Sequence, residues 1–305
     1  MPKPQKKTYI FIVLYVSLFS SVFVASKAII PPLNGVTYVF LRSLIGTGFL
    51  ALVLQASNEL SNGIKFLKQN IKDMLILGGL LSFTIISVYF GTAYTNPSNQ
   101  SLLSNLTVVF ILALNFFVYK KKPEKIIVIA SMISMIGILL ILSPLRQNEN
   151  PTIFGDVLTI LSTIFSAFFT IKMEAVANLG KSTHISFALA LVVTILTMPL
   201  FFLLNGVTAA QNLVDFQWIL LLILGIGITG AIYILSPSIF QDPAINSNMM
   251  GIIVTMVPIF GTLLGVWLYD DHMSAINIIG AILVLFSIGL INFRKEPKCV
   301  EEICA

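Results

Sequence analysis

The sequence predicts an all-α polytopic membrane protein, with ten transmembrane helices in two inverted five-helix repeats and both termini cytoplasmic. Three observations predict it. Of 305 residues, 57% are apolar and only 10% charged, with a mean hydropathy of +0.96. Soluble domains carry about 25% charged residues. The apolar residues fall in ten long runs, and the scarce basic residues gather in alternate connections between them.

A bilayer core about 30 Å thick takes about 20 apolar residues per helix. Runs of that length lie at 9–30, 34–55, 74–94, 98–119, 126–143, 154–176, 184–204, 218–239, 245–269 and 274–293. Short polar stretches such as Pro31-Pro32, Asn96-Pro97, Lys120-Lys121-Lys122-Pro123 and Asp270-Asp271 separate them. A membrane β-barrel would show alternating segments of about ten residues, and disorder would need low hydrophobicity; neither fits. The first run follows Lys3, Lys6 and Lys7 but outlasts the apolar region of a signal peptide. It ends at Lys27 and Pro31-Pro32, where a small-residue cleavage site would stand, so an uncleaved first helix is expected.

Orientation follows from the lysines and arginines of short loops. Fourteen of them lie in the amino terminus, 56–73, 120–125, 177–183 and the tail, against Arg146 alone in the alternate set. The net charge of +5 therefore reports topology, and no nucleic-acid partner is expected. Five spans per half is an odd number, so a second copy must sit upside down. The four lysines 120, 121, 122 and 125 after span 4 give way to Asp270-Asp271 after span 9, as inversion requires. Leu18-Phe19-Ser20-Ser21-Val22-Phe23 is echoed by Ile164-Phe165-Ser166-Ala167-Phe168-Phe169. The expected units are 1–147 and 148–294, with a cytoplasmic tail at 295–305. Inverted repeats of this kind build many secondary transporters.

Several residues carry a family resemblance. Lys27 closes span 1, Leu41-Arg42 lies in span 2 and Tyr94-Thr95 ends span 3. Gly155-Asp156 opens span 6, Val257-Pro258-Ile259-Phe260 lies in span 9, and Ile279-Gly280-Ala281 lies in span 10. In order and spacing the chain resembles the drug/metabolite transporter superfamily, specifically its EamA-domain proteins. It departs from them at Thr107, which stands where span 4 would repeat the span 9 proline, and in lacking a first-span tryptophan. The resemblance implies a secondary transporter of small organic solutes (amino acids, metabolites or drug-like compounds) working by alternating access. It further implies the plasma membrane of a bacterium or archaeon, with export favoured over uptake. The expected partners are a small-molecule solute and the lipid bilayer. No cofactor is expected, and a coupling ion and the oligomeric state stay open.

Arg42 lies about 12 Å into span 2 at 1.5 Å per residue. A guanidinium at that depth faces the bundle or a water-filled cavity. Lys27 sits near the same end, and no acid lies nearby in the first half. The pair suits an anionic group such as a carboxylate or phosphate. The alternatives are snorkelling for Lys27 and bonding to helix-end carbonyls for Arg42. A polar group at spans 3 and 4 includes Tyr89, Tyr94, Asn99, Ser104 and Asn105. Its counterpart at spans 8 and 9 includes Tyr233, Asn246, Asn248 and Thr255. These line a solute path or tie helices together. Pro258 bends span 9 as a gate element or as architecture. Lys172 and Glu174 are expected to reach the interface, and no carboxylate falls mid-membrane.

Other motifs point away from enzymes. Gly225-Ile226-Gly227-Ile228-Thr229-Gly230 has the spacing of a dinucleotide loop but lies inside an apolar run, where helix packing explains it. His184 and His272 fall on opposite sides of the membrane, so no metal site is expected. Cys299 and Cys304 read as solvated thiols. The competing classes are an integral-membrane enzyme, which needs an acid, His or Cys cluster, and a non-transporting membrane scaffold, which needs sizeable soluble loops. Neither feature is present in the sequence, and no catalytic residue is expected.

Overall fold

In a computed structural model of the chain, the residues described are 4–26, 33, 35–92, 94, 103–120, 124–142, 153–257, 259–260 and 275–292. Among them every regular element is helical. In chain order they are α1 (Lys6–Ser26), α2 (Gly35–Ala56), α3 (Leu60–Gln69), α4 (Ile71–Thr92) and α5 (Thr107–Phe117). Then come α6 (Lys125–Leu142), α7 (Ile153–Val176), α8 (Ser182–Leu203) and α9 (Gly206–Gln211). Last are α10 (Asp215–Ile223), a π-helical turn at Leu224–Gly230, α11 (Ala231–Phe240), α12 (Ser247–Val254) and α13 (Ala275–Asn292). Lys27, Asn99 and Pro258 lie outside the described residues.

Five stretches are long and apolar enough to cross a membrane: Gly35–Ala56, Ile71–Gly91, Ile153–Val176, Ser182–Leu203 and the continuous Asp215–Phe240. Thr107–Phe117, Lys125–Leu140 and Ile278–Leu290 are shorter apolar helices. Their outward faces are apolar: Leu52 is 70% exposed, and Phe117 and Leu203 are each 75% exposed. So much exposed hydrocarbon is tolerated where the solvent is lipid and every backbone group is satisfied inside its own helix. The chain is a multi-pass membrane protein.

Two connections hold helices that hydropathy alone does not reveal. Helix α3 is too short and charged to span, but it is amphipathic, with Gly63 and Phe66 buried and Lys65 and Lys68 exposed. It packs against α8. Prolines 199 and 237 sit inside α8 and α11.

The packing pairs define the bundle. Helix α4 lies against α7 and α8, α2 against α8 and the π turn, α1 against α11, α5 against α7, and α6 against α13. Small residues bring some pairs to backbone contact. A Cβ on Gly46 would stand 2.7 Å from Thr229 Cγ2 and 3.1 Å from the Gly225 carbonyl. One on Gly225 would meet Ile45 and the Arg42 carbonyl, and one on Gly230 would meet Phe49. Two of the three motif glycines thus seat the π turn on α2, while Gly227 faces open space.

The fourth and ninth apolar runs are both interrupted. Turns at Asn105–Leu106 and Thr255–Met256 break them. Each turn is tightened by an i to i+3 bond, Leu106 N–H to Leu103 O at 3.0 Å and Met256 N–H to Ile253 O at 3.0 Å. At each a threonine hydroxyl takes a freed carbonyl. Thr107 donates to Ser104 O at 2.7 Å, and Thr255 donates to Ile252 O at 2.6 Å.

The amino terminus, the 56–73 connection, the 177–183 connection and the 240–246 turn meet on one face. Asp242 accepts from Gln5 N–H at 2.8 Å, Thr8 hydroxyl at 2.6 Å and Ala244 N–H at 3.0 Å. Burial pulls its carboxyl upward, but these donors and Lys7 outweigh that and hold it below the usual range. Glu59 bonds Lys181 and, at 2.9 Å, His184 Nε2. The Lys181 bond, against a smaller opposing effect of desolvation, holds the Glu59 carboxyl low as well. Lys172 pairs with Asp73 at 2.6 Å, and Glu174 accepts the Ser247 N–H at 2.7 Å, at the start of α12. Both residues therefore have protein partners where the sequence suggests only an interface.

Candidate functional site

Arg42 occupies the middle of α2 and is only 8% exposed. Helical spacing stacks Tyr38, one turn earlier, beneath it. The guanidinium carbon stands 5.2 Å from the Tyr38 ring centroid, and Nη1 donates to the Tyr38 hydroxyl at 3.4 Å. A cation over a phenol ring is attracted by the ring's negative face. Tyr89 of α4 meets Tyr38 edge-on, with centroids 5.6 Å apart. Tyr233 of α11 lies within electrostatic reach of Arg42, and Tyr15 of α1 within reach of Tyr233. One cation and four phenols from α1, α2, α4 and α11 thus form a single buried cluster.

The cluster is incompletely satisfied. Among the described residues, Arg42 Nε, Ser43 Oγ and Tyr233 OH are buried without a hydrogen-bond partner. The Ser43 and Tyr233 hydroxyls lie near each other without bonding geometry. One turn further along α2, the Thr229 hydroxyl over Gly46 is also unpartnered. Buried polar atoms in membrane proteins are normally paired, so a concentration of orphans beside a charge marks a place built for something else.

Of the residues singled out in sequence, Arg42, Tyr89 and Tyr233 come together here. The other described ones sit elsewhere. Tyr94 is 48% exposed and edge-on to Phe154 at 5.4 Å. Ser104 and Asn105 belong to the break in the fourth run. Asn246 caps α12 by accepting from Met249 N–H at 2.9 Å. Asn248 accepts from Asn115 Nδ2 at 2.7 Å, in a second buried polar group that includes Ser247. Thr255 accepts from Ser134 at 2.7 Å, bridging to α6.

Sequence reasoning passed over Tyr15, Tyr38, Ser43 and Asn115. Tyr38 had a signal, its i, i+4 spacing from Arg42. Asn115, 1% exposed within α5, had one too, as an amide deep in an apolar run. Tyr15 and Ser43 had none, because only tertiary packing brings them to the cluster.

Comparison with known proteins shows what the chain is similar to. Residues 6–143 match the EamA-like transporter family, so the resemblance read from the sequence is borne out. An uncharacterized transporter of Clostridium kluyveri is 24% identical, the alignment covering 96% of this chain and 95% of that one. The uncharacterized transporter YetK of Bacillus subtilis is also 24% identical, over 96% and 89% of the two chains. One from Archaeoglobus fulgidus is 22% identical, over 96% and 99%. A solved crystal structure shares the fold with a TM-score of 0.77 at 15% identity, covering 93% of this chain and 97% of that one. The matched family and the three relatives are transporters by name.

Proposed function

We propose that this EamA-like membrane transporter moves small organic solutes across the plasma membrane by alternating access, with export favoured. Its solutes fall within the range that the family resemblance implies: amino acids, metabolites or drug-like compounds. Residues 1–147 and 148–294 are its two inverted halves, and both termini, with the tail 295–305, are cytoplasmic. The observation that carries the reading is the buried Arg42 cluster, with unpartnered polar atoms at the junction of α1, α2, α4 and α11.

Two further features support it. Interrupted helices at corresponding positions of two halves are a pointer to a transporter's binding region, and the fourth and ninth runs are interrupted in this way. The packing pairs also respect a two-fold relation between halves. The third run lies on the sixth as the eighth lies on the first, and the second pairs with the seventh as the fifth pairs with the tenth.

In this reading Arg42, Tyr89 and Tyr233 contact solute, and Lys27 lines its outer approach. Tyr94, Asn99, Ser104, Asn105, Asn246, Asn248 and Thr255 line or support the path, and Pro258 lets the ninth span bend. The test is a screen of reconstituted vesicles against amino acids and metabolites, with and without a pH gradient. At least one solute exchanges in the wild type. Arg42→Gln, expressed at the normal level, lowers that exchange at least about tenfold, the loss of one charge-assisted bond; Lys27→Gln lowers it less. Absence of exchange for every solute overturns the reading in favour of the enzyme or scaffold classes.

A further inference from the structure

We infer that the solute held at the Arg42 cluster is an organic monoanion, a carboxylate on an apolar or aromatic body, rather than a zwitterion or a cation. This rests on the reading of the cluster as the solute site.

Arginine keeps its proton in proteins, and at 8% exposure this one has little water to balance its charge. The ionisable groups around it are the phenols of Tyr38, Tyr89 and Tyr233, none of them a carboxylate. Four described carboxylates are occupied at the far face: Glu59 with Lys181 and His184, Asp73 with Lys172, Glu174 with Ser247, and Asp242 with the amino terminus. The other described ones, Glu124, Asp156 and Asp215, are not among the groups that act on Arg42. Among the described residues this positive charge has no carboxylate beside it, and one negative charge from a solute balances it.

The orphaned groups match a carboxylate in number and kind. Its two oxygens offer about four lone pairs. Arg42 Nε–H and an Nη–H present the parallel fork that a carboxylate accepts from the side. The Tyr233 and Ser43 hydroxyls, both unpartnered, supply further donors. An α-amino acid brings an ammonium as well, adding a second positive charge where no carboxylate lies among the described residues that act on Arg42. A phosphate monoester carries nearly two negative charges, one more than the single guanidinium neutralises. The surrounding rings of Tyr15, Tyr38, Tyr89 and Tyr233 provide an apolar, flat-sided wall suited to a hydrophobic or aromatic remainder.

Four probes of one body and different charge separate the alternatives: 3-phenylpropionate, phenylalanine, phenethylamine and phenyl phosphate. Binding is measured by calorimetry on the full chain in lipid nanodiscs. The expected result is tightest binding by 3-phenylpropionate. Arg42→Gln weakens it about 10- to 100-fold, and Tyr233→Phe about 3- to 10-fold. Arg42→Lys keeps the charge and loses the fork, giving an intermediate value; with Tyr233→Phe it covers the case in which Arg42→Gln does not fold. Tighter binding by phenylalanine, phenethylamine or phenyl phosphate overturns the monoanion assignment. So does binding of none of the four, or 3-phenylpropionate binding that is indifferent to all three substitutions. The underlying transport reading fails separately, in wild-type vesicles that exchange no solute at all.

Discussion

Replacing Gly137 by alanine lowers the thermal stability of the protein by several degrees, whereas the same replacement at Gly79 does not. Both glycines lie within apolar helices, α6 and α4. Composition and helix propensity treat them alike, and exchanging a mid-helix glycine for alanine normally stabilises by up to about 1 kcal/mol. What differs is the neighbour. A Cβ on Gly137 would stand 2.6 Å from the backbone carbonyl of Gly280 and 2.8 Å from Val284 Cγ2 on α13. No rotamer change moves a backbone carbonyl, so the two helices must part along their crossing. Overpacking of this kind costs about 1–3 kcal/mol, and a backbone clash belongs at the upper end. A Cβ on Gly79 meets nothing within 4 Å. Melting curves of the two variants in one detergent check the contrast, and equal shifts would mean that α6 and α13 do not cross there.

Asp242→Ala produces the second large effect, at the opposite end of the sequence from the groups it releases. The carboxylate is 4% exposed and accepts from Gln5, Thr8 and Ala244. Its removal leaves the Thr8 hydroxyl, itself 1% exposed, without its acceptor. Hydrogen bonds to a charged group contribute about 1.5–3 kcal/mol each and are not additive; a loss of about 3 kcal/mol is expected. Amide exchange at residues 5–8 accelerates in the variant, while exchange in α8 changes little. The carboxyl titrates below its ordinary value, so its contribution is complete at neutral pH. It is lost only on acidification, beginning near about pH 4, where the unfolded chain takes up the proton, and ending below the depressed folded value. Asp242→Asn removes this acid-sensitive part, and its melting temperature falls less steeply below pH 4 than that of the wild type.

Much of the architecture can be read from the chain alone, because a membrane imposes one strong rule. Hydropathy sets the runs at 184–204 and 126–143 close to the observed α8 and α6. Charge in the loops likewise groups the amino terminus with 56–73 and 177–183, and the structure brings these to one face. Hydropathy is blind to what happens inside an apolar run. The π turn at Leu224–Gly230 and the breaks at Asn105–Leu106 and Thr255–Met256 all fall inside runs that hydropathy reads as continuous. Contacts distant in sequence are equally hidden, as with Asp242 and Thr8 or Glu59 and His184. The candidate site divides along the same line. Arg42 announces itself as a charge in an apolar run, and Tyr89 and Tyr233 as phenols at depth. Asn246 and Asn248 carry the same chemical signal, yet cap and tie α12 instead. Polarity marks where a partner is required, and only packing determines whether that partner is protein.

In the proposed transport cycle the Arg42 cluster lies on a path opened to the two sides of the membrane in turn. Ser43, adjacent to Arg42, is 0% exposed, with a hydroxyl that has no partner among the described residues. A Ser43→Cys protein, with Cys299 and Cys304 exchanged for serine, tests this most directly. Its rate of modification by a membrane-impermeant thiol reagent is measured from each face of sealed vesicles. The expected result is modification from both faces, slowed from either by a transported solute. A thiol that stays unmodified from both faces, in vesicles that still transport, would mean that no such path passes Ser43.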